Sequence, residues 1–468
     1  MQLFKRSAFI LFIFSSAIKV NAQGDFTLYA MRELNQSVSL NPAFMPDYNL
    51  SIGVPLLSGI MVGSEVHGLN INTILSSLTP DKNIDLGVLS SKLDGKFFGV
   101  KPFFQTELFH LRLGYGHYQF SVFSGLKVNS NVLLSNTFIE LVGNGNANYM
   151  GQNMVFGGNN IQVSSYIETG IGVSREFERW TIGTRLKWLS GIANLSTDNL
   201  NMNWYTSAAS FDKTTFSFGG TIRSSGLPSI SDSLNGSHNA DNLVDSNSGN
   251  NLSNDLKSVG FFSNQGFAID FGATFRVTPL LNVHASVLDL GGITWNNHTY
   301  NYNLDQINLE HSGFTINQFK DTTQNKLMQD SLNNLLTRQI KRANTTFGSY
   351  YTPLVTRVLI GADYDLTLRD RVGVLMQFQY FNNEIFPAYF INYNRKVGTN
   401  WNMTASYGYY NSSMMNLGFG TSVKIGAFQV YIVHDDILFY FFPQYARNIY
   451  LRFGFNLVWG QPRPRARY

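Results

Sequence analysis

The chain has 468 residues, of which 14% are charged and 14% aromatic, and it contains no cysteine. Soluble domains carry roughly 25% charged residues. A soluble secreted globule with the composition of this chain would therefore have too few charged residues to cover its exterior. The absence of cysteine excludes disulfides, thiolate metal sites and thiol chemistry. The net charge of +4 gives no indication of nucleic-acid binding.

Residues 1–22 have the features of a secretory signal peptide. A basic start (KR) is followed by an apolar stretch over 8–18 and by small residues before a cleavage point near Ala22/Gln23. The alternative, an N-terminal membrane anchor, is disfavoured because the apolar run is too short to span a bilayer. Leader removal takes away three basic residues and lowers the net charge from +4 to +1.

Residues 23–48 precede the first predicted strand and contain the stretch SLNPAFMPDY. Pro42 fixes its own φ and pushes Asn41 towards extended geometry, while Ala43 takes little room. These residues predict a rigid small-residue bend suited to threading a crowded lumen. The alternative is a simple entry turn into the first strand.

Apolar and polar residues alternate repeatedly over 49–459, which predicts strands with two unlike faces. Strands of a soluble sandwich usually have five or six residues, whereas a tilted strand that crosses a bilayer needs about nine to eleven. Because the alternating stretches have the greater length, we predict an all-β fold, a transmembrane antiparallel β-barrel in the outer membrane. The predicted lipid-facing residues of the last strand are Ile449, Leu451, Phe453, Phe455, Leu457 and Trp459. The predicted lumen-facing residues are Arg276, Lys424, Arg452 and Asn456.

The predicted links between strands differ in length. Short links are expected near 175–179, 278–280, 367–371, 396–400 and 425–427, a brief one at 411–413, and long ones at about 128–160, 191–265 and 291–353. Outer-membrane barrels have short periplasmic turns and long external loops, so the short links and the C-terminus are assigned to the periplasm. This scheme gives about fourteen strands, in a range of about twelve to sixteen, beginning within 49–68. The count becomes about sixteen if part of 191–222 also pairs.

Two of the long external links have features of their own. Residues 229–255 are rich in Ser, Asn, Asp and Gly and predict an irregular loop. In the other, five apolar residues have helical spacing and predict a short amphipathic helix that caps the external mouth or packs on its own loop. Those residues are Met328, Leu332, Leu335, Leu336 and Ile340.

No motif in the chain indicates catalysis, a cofactor or a metal. Residues 245–256 resemble a calcium loop only faintly, because Leu256 stands where a bidentate Glu is needed. His434, Asp435 and Asp436 place a base beside two carboxylates, but no nucleophile or third ligand accompanies them, so we interpret them as a solvated rim. We therefore predict that the protein is not an enzyme.

The tail 460–468 carries three arginines, and two prolines within it end strand pairing. We predict a periplasmic tail that holds an anionic partner or lipid headgroups, or that is simply a disordered end.

An Asn-Pro-Ala element soon after the leader, followed by a barrel of about fourteen strands, resembles the long-chain fatty-acid transporter (FadL-like) superfamily. The chain is more similar still to uncharacterised barrels of Bacteroidota that begin with S-x-N-P-A-F. Related barrels of that phylum serve the type IX secretion system. In FadL-like transporters the N-terminal segment plugs the lumen and gates the passage of apolar ligands. The resemblance therefore implies a hatch role for Asn41, Pro42 and Ala43, and for no other residue. The hatch that we predict also includes the adjoining Phe44.

The leading functional hypothesis is the passage of small hydrophobic molecules through the outer membrane, gated by that hatch. The alternative is a non-transporting barrel that acts as a subunit or scaffold of a secretion or assembly complex. The predicted partners are outer-membrane lipid, a small hydrophobic ligand, and other outer-membrane or periplasmic proteins. No nucleic acid is among them.

Overall fold

The computed structural model describes residues 24–77, 86–93, 97–144, 149–208, 214–227, 263–304, 307–311, 344–381 and 384–460. Several predicted features lie outside these ranges, so they stay predictions. They are the leader, the loop 229–255, the calcium-like segment 245–256, the amphipathic helix of 328–340 and the tail beyond Gly460.

The described residues are mostly β-strand. The first ten strands are β1 (Leu50–Gly53), β2 (Ile60–His67), β3 (Phe97–Tyr115), β4 (Tyr118–Ser135), β5 (Asn153–Glu176), β6 (Trp180–Thr206), β7 (Thr214–Ser225), β8 (Asn264–Arg276), β9 (Leu281–Trp295) and β10 (Tyr300–Asn303). The other ten are β11 (Ile307–His311), β12 (Asn344–Thr346), β13 (Tyr350–Pro353), β14 (Thr356–Asp365), β15 (Asp370–Phe381), β16 (Glu384–Val397), β17 (Trp401–Tyr410), β18 (Ser413–Ile425), β19 (Phe428–His434) and β20 (Asn448–Trp459).

The helices among the described residues are short and lie between strands or before them. They are α1 (Phe26–Ala30), a 3-10 helix (Asn35–Ser39), α2 (Ile71–Ser76), α3 (Leu86–Ser91), α4 (Asn136–Asn144) and α5 (Leu438–Phe441). None of those in the described ranges is long and apolar enough to cross a membrane.

Antiparallel pairing closes the strands into a ring. The ring runs from β3 to β6, continues through β8 and β9 to β14, and then passes through each strand to β20. Strand β20 pairs with β1 and β2, and both of these pair with β3, so the last strand meets the first. A large antiparallel ring is thus confirmed. It has about sixteen strands if β7 and the β10–β11 strand, which extend it beside β6, are included; the predicted figure of about fourteen stays a prediction.

Two of the predicted long links are shorter in the structure, because strands extend into them. For residues 191–222 this is the additional pairing that the alternative of about sixteen strands requires. Strand β6 continues to Thr206 and pairs with β7 inside the predicted link 191–265, and β4 continues to Ser135 inside the predicted link 128–160. These extensions have no continuous apolar face, because they read STDNLNMN and VNSNVLLS. Backbone pairing with a neighbouring strand forms them, and pairing partners cannot be read from one strand's pattern.

The first strand, expected as one element within 49–68, is broken between β1 and β2. Residues 54–59 leave the sheet, and Leu56 has a left-handed φ of 64°. Their backbone groups still find partners: the Leu56 N–H donates to Glu107 O (3.0 Å) and the Phe455 N–H donates to Leu57 O (2.9 Å). Opposite the break, β3 shifts register between Glu107 and Phe109, so the two irregularities match.

The two faces of the wall differ as the alternation predicts. Along β20, buried residues alternate with more exposed ones, and Phe455 and Trp459 are 40% and 41% exposed. The largest buried apolar cluster lies inside the ring, between the wall and the residues that precede β1. The interior of the barrel is therefore occupied, and its occupant is the chain's own N-terminal part.

Candidate functional site

The N-terminal segment, defined here as residues 24–48, lies inside the ring of strands. Its apolar side chains are almost completely buried, with Leu28, Met31 and Leu34 at 0% exposure. The Phe26 ring stacks on Phe390 of β16 with 4.0 Å between ring centroids. The segment makes no ladder with any strand among the described residues, and it contacts the wall through side chains and single backbone groups.

The inner wall is less polar than the sequence predicts. Alternation predicts a small or polar lumen face, yet Leu288, Leu359, Leu375 and Val433 point inward and pack against the segment. These side chains sit on strands whose outer face is also apolar, so periodicity does not assign them to one side. Their burial is explained by the apolar residues of the segment, which need partners inside the barrel.

An ion pair holds the start of the N-terminal segment against the wall. Arg452 on β20 donates two hydrogen bonds to Asp25, Nε to Oδ1 (3.1 Å) and Nη2 to Oδ2 (3.0 Å). Burial raises the pKa of Asp25, and the Arg452 guanidinium opposes that rise. The Thr27 Oγ1 lies 2.7 Å from Ser406 Oγ on β17. The predicted lumen-facing Arg452 is thus the main electrostatic contact of the first helical turn.

The interpretation of His434, Asp435 and Asp436 as a solvated rim is wrong, because they are 7%, 5% and 1% exposed. Asp435 accepts hydrogen bonds from the backbone N–H groups of Asp25 (2.6 Å) and Thr27 (2.8 Å). The segment covers this end of β19. Nothing local in the sequence indicates contacts between residues more than 400 positions apart.

A second anchor joins the segment to β9 and β14. The Tyr29 hydroxyl lies 2.8 Å from His284 Nδ1, and Arg32 forms an ion pair with Asp363. Burial raises the pKa of Tyr29, so its phenol stays neutral. The Arg32 guanidinium also lies 4.6 Å from the centroid of the Phe44 ring, a cation–π contact within the segment.

Gln36 forms a third anchor, where the wall is irregular. Its Nε2, which has two hydrogens to donate, lies within hydrogen-bond distance of three acceptors: Ser58 O (2.8 Å), Glu107 Oε2 (3.0 Å) and Asn456 Oδ1 (2.9 Å). Asn456 returns a bond from Nδ2 to Gln36 Oε1 (3.1 Å). One buried amide thus ties the segment to β3, β20 and the break in the first strand.

The predicted hatch residues form a turn pressed against the wall. The Asn41 Oδ1 accepts the Ala43 N–H (2.9 Å), and the Asn41 Nδ2 donates to Ala285 O on β9 (3.2 Å). The Pro42 carbonyl accepts a hydrogen bond from Ser174 Oγ on β5 (2.6 Å). The Phe44 ring meets the His284 ring edge-on with 5.8 Å between centroids. The bend is therefore a turn that is hydrogen-bonded to two wall strands, β9 and β5.

Two glycines of the wall leave room for this bend. A methyl group at Gly272 of β8 would lie 2.8 Å from Pro42 Cδ and 2.9 Å from Ala43 N. One at Gly183 of β6 would lie 2.8 Å from Ala43 N. Only glycine allows the backbones to come this close.

The remaining predicted positions divide between the interior and the rim. Lys424 on β18 places its Nζ 4.5 Å from the centroid of the Tyr48 ring, so it contacts the N-terminal segment. Arg276 lies at the end of β8 and pairs with Glu176 on β5, Nη2 to Oε1 at 3.6 Å. Ile449, Leu451, Phe453, Phe455, Leu457 and Trp459 occupy the more exposed positions of β20; their contact with lipid stays a prediction.

Sequence reasoning missed a charged cluster on the inner wall. Lys187 Nζ lies 2.6 Å from Asp289 Oδ1 and 2.7 Å from Asp270 Oδ2. Four further charges adjoin it, namely Lys127, Glu168, Arg185 and Arg357. The available signal was Arg185 and Lys187 alternating with Leu186 and Trp188, which puts both cations on one face of β6.

In the described part of the chain, no group of three or more His, Asp or Glu side chains is placed to hold a metal ion. Ion pairs, hydrogen bonds and apolar packing all join one segment to the surrounding wall.

A protein-family model matches most of the chain. A model described as "Family of unknown function (DUF5723)" matches residues 42–435. The chain belongs to this family. The match begins at Pro42, within the bend, and ends at Asp435, the residue that accepts hydrogen bonds from the start of the segment.

No curated protein matches this member of DUF5723. Several solved structures are similar at low identity. The toluene transporter TbuX of Ralstonia pickettii is 9% identical over 92% of this chain and 95% of that chain, with a TM-score of 0.43. The toluene transporter TodX of Pseudomonas putida is 9% identical over 94% of each chain, with a TM-score of 0.39. A FadL homologue of Pseudomonas aeruginosa is 8% identical over 94% and 99%, with a TM-score of 0.40. Similarity at these identities and TM-scores does not indicate what this member of DUF5723 binds.

Proposed function

We propose that this protein is an outer-membrane β-barrel that lets small hydrophobic molecules pass when its N-terminal segment moves. The observation that carries the proposal is that the segment fills the lumen without being part of the sheet. The strands of the ring pair with one another, so the segment can shift without breaking a ladder hydrogen bond.

The apolar residues of the inner wall are a second argument for a hydrophobic cargo. Lumens of water-filled porins are polar, whereas here Phe103, Leu359, Leu375 and Phe390 point inward behind the segment. Displacement of the segment would uncover this apolar belt. The belt favours an apolar solute over a sugar or an ion, because burial of apolar area is the main source of its affinity. The charged cluster around Lys187 belongs to the same wall, and its charges are paired with one another.

The polar anchors make the closed state specific. Arg452 with Asp25, Arg32 with Asp363, and Gln36 with Asn456 each need a defined position of the segment. Asn41, Pro42, Ala43 and Phe44 then act as the hatch, since the bend fits the space left by the wall glycines. In this proposal the short links and the chain's last residues face the periplasm.

A disulfide that locks the segment tests the proposal. The chain contains no cysteine, and the Thr27 and Ser406 hydroxyl oxygens are 2.7 Å apart, so the two side chains are in direct contact and cysteines there are expected to bond on oxidation. The double variant Thr27→Cys/Ser406→Cys joins the segment to the wall. The matched control Ser124→Cys/Thr169→Cys joins two wall strands, with hydroxyl oxygens 2.9 Å apart.

Uptake of a radiolabelled long-chain fatty acid and of toluene is measured in cells expressing each variant, oxidised and reduced. We expect oxidation to abolish uptake in the locked variant, reductant to restore it, and the control pair to change nothing. Equal uptake by the oxidised and reduced locked variant would refute the hatch. Uptake no greater than in cells without the protein would refute transport.

One observation favours the second candidate, a barrel that serves as subunit or scaffold of a secretion or assembly complex. Strands β5 and β6 have 24 and 27 residues, whereas crossing a bilayer takes about nine to eleven. The surplus forms a wall that stands out of the membrane together with β7 and β10. The protein would be purified gently from native membranes. Other proteins that co-purify with it in stoichiometric amounts would support this candidate.

A further inference from the structure

A serine, a histidine and a glutamate on the inner wall form a chain of hydrogen bonds. The Ser51 Oγ on β1 lies 3.2 Å from Nε2 of His110 on β3, and the His110 Nδ1 lies 2.9 Å from Glu107 Oε2. An ionised carboxylate only accepts hydrogen bonds, so the neutral imidazole carries its proton on Nδ1. Its Nε2 is then the acceptor for the Ser51 hydroxyl. In this arrangement a histidine activates a serine as a nucleophile.

Two features of the wall bring these side chains together. Strict alternation along β3 would put Glu107 and His110 on opposite faces, since they are three positions apart. The register shift between Glu107 and Phe109 turns Glu107 to the face of His110. A methyl group at Gly53 of β1 would lie 2.7 Å from His110 Cε1, so the glycine leaves room for the imidazole. Ser58 donates from Oγ to Glu107 Oε2 (2.8 Å) and so fixes the carboxylate.

Arg112 supplies a positive charge beside Ser51. The two residues are direct partners in the pairing of β1 with β3, so their side chains lie on the same face with Cβ atoms about 5 Å apart. A guanidinium in this place stabilises the negative charge that develops on a carbonyl oxygen under attack. Arg112 donates from Nη1 to Asn35 Oδ1 (2.8 Å) and from Nη2 to Pro46 O (3.3 Å). The N-terminal segment therefore occupies the guanidinium that the reaction would use.

The N-terminal segment also covers the serine. Ser51 and His110 are 4% and 3% exposed, and the Gln36 Nε2 of the segment lies 3.0 Å from Glu107 Oε2. Displacement of the segment would uncover Ser51 together with the apolar belt, which includes Phe103 on the same strand as His110. A carboxylic ester with an apolar acyl chain fits both features, because its carbonyl meets Ser51 while its chain is buried on the belt.

We propose that Ser51, His110 and Glu107 hydrolyse carboxylic esters with apolar acyl chains when the N-terminal segment is displaced. The Ser51 Oγ bonds to the carbonyl carbon while the His110 Nε2 takes the hydroxyl proton. The bond from that carbon to the alkoxy oxygen then breaks, and His110 gives the proton to the leaving alcohol. Water, deprotonated by His110, attacks the acyl-serine, releases the free acid and restores Ser51. Glu107 is a positioning residue, because it sets the tautomer and orientation of the imidazole.

This reaction rests on displacement of the segment, which is part of the proposed function, but it does not need passage of a solute. It is contrary to the prediction that the protein is not an enzyme, which depended on local motifs. Ser51 and His110 are 59 positions apart and meet through the pairing of β1 with β3. A local motif could not show such an arrangement.

The test uses the mature full-length barrel in detergent micelles, with p-nitrophenyl octanoate as the substrate. A fluorophosphonate probe, from which an activated serine displaces fluoride, is followed by mass spectrometry of the labelled peptide. We expect labelling at Ser51, and hydrolysis at least about hundredfold slower in Ser51→Ala and in His110→Gln. Ser124→Ala removes a wall serine whose Oγ lies 2.9 Å from Thr169 Oγ1, and it should behave as the wild type. The faster migration of the unboiled barrel on SDS gels shows that each variant is folded.

Glu107→Gln tests the positioning role. A glutamine has nearly the same size as the glutamate but does not hold the proton on His110 Nδ1 as a carboxylate does. We expect kcat to fall at least about hundredfold with KM unchanged, since the substrate surface stays intact. A rise in KM with unchanged kcat would overturn the role of Glu107.

The locked variant Thr27→Cys/Ser406→Cys and the loosened variant Asp25→Asn/Arg452→Met separate hydrolysis from transport. We expect oxidation of the locked variant to abolish hydrolysis and reductant to restore it; equal rates would overturn the cover by the segment. Hydrolysis that depends on Ser51, without uptake of any solute, would support the hydrolase and refute transport. Uptake without such hydrolysis, in both the wild type and the loosened variant, would overturn the hydrolase and leave transport standing.

Discussion

At the scale of single residues, the inner wall is fitted to the backbone of the N-terminal segment. Ser174 and Ser286 donate to the carbonyls of Pro42 (2.6 Å) and Leu40 (2.7 Å), and glycine stands where the bend touches the wall. Each of these wall residues is small, which seen alone suggests nothing more than a polar lumen. Their placement against the bend gives them a specific role.

We predict that Gly272→Ala destabilises the barrel by about 1 to 3 kcal/mol. The new methyl group would press on Pro42 and Ala43 and force the bend away from the wall. The measurement is the temperature at which the unboiled gel shift is lost. Gly157→Ala is the control, since its nearest neighbour is Asn201 Oδ1 at 3.8 Å; equal effects of both changes would contradict the prediction.

We predict that Arg452→Met costs about 3 to 5 kcal/mol, because it leaves the buried Asp25 without its cation. The double variant Asp25→Asn/Arg452→Met should lose less stability than the sum of the two single changes. A double-mutant cycle in urea unfolding measures this coupling. Additive effects would show that the pair does not hold the segment.

At the scale of elements, β20 shows what the alternation of apolar and polar residues predicts by itself and what it does not. It gives the strand and its two faces correctly, with Tyr450, Arg452 and Asn456 buried between more exposed neighbours. It does not reveal the break between β1 and β2 or the matching register shift in β3. Those depend on the Gln36, Ser58 and Glu107 contacts, which come from three separate parts of the chain.

We predict that Phe453→Arg destabilises the barrel by about 2 to 4 kcal/mol, because Phe453 is expected to face lipid near mid-depth. Leu368→Arg, in the short link between β14 and β15, should cost at most about 1 kcal/mol, since Leu368 is 86% exposed and is expected to lie at the membrane edge. Unfolding from lipid vesicles measures both. A harmless Phe453→Arg would mean that this face does not lie in hydrocarbon.

At the scale of the molecule, closure of the ring depends on contacts between its two ends. Val62 of β2 is the pairing partner of Leu451 of β20. These two residues are 389 positions apart in the sequence, so no local pattern links them. Closure removes the free sheet edges that could not exist in hydrocarbon. It also makes the enclosed space that the N-terminal segment fills.

We predict that Val62→Cys/Leu451→Cys forms a disulfide on mild oxidation, because antiparallel partners lie within the Cα separation that a disulfide accepts. The linked chain should migrate faster than the reduced chain on a denaturing gel, since a closed loop is more compact. Val62→Cys/Val430→Cys, with Val430 one strand further away on β19, should remain unlinked. Linkage of both pairs alike would argue against this register.

The short links were predicted well and the long ones poorly, for one physical reason. A tight turn such as Asn411–Ser412, where both residues have positive φ, is determined by neighbours in sequence and ends two clear alternations. The extensions of β4, β5 and β6 are held by pairing across the sheet, which no single strand reveals. Likewise the interpretation of His434, Asp435 and Asp436 as exposed was wrong, because their cover comes from the other end of the chain.

The sequence by itself determined the all-β architecture and the two faces of the strands, because side-chain alternation is a local property with a period of two. It also indicated Asn41, Pro42 and Ala43 as a constrained bend, because proline acts on its immediate neighbours. Only the tertiary structure decided what lies inside the barrel and which wall residues meet it. The contacts of Asp25 with Arg452, of Gln36 with Asn456 and of Asp435 with Thr27 each join positions more than 400 residues apart. Such pairs are set by ring closure and packing, which depend on the whole chain at once.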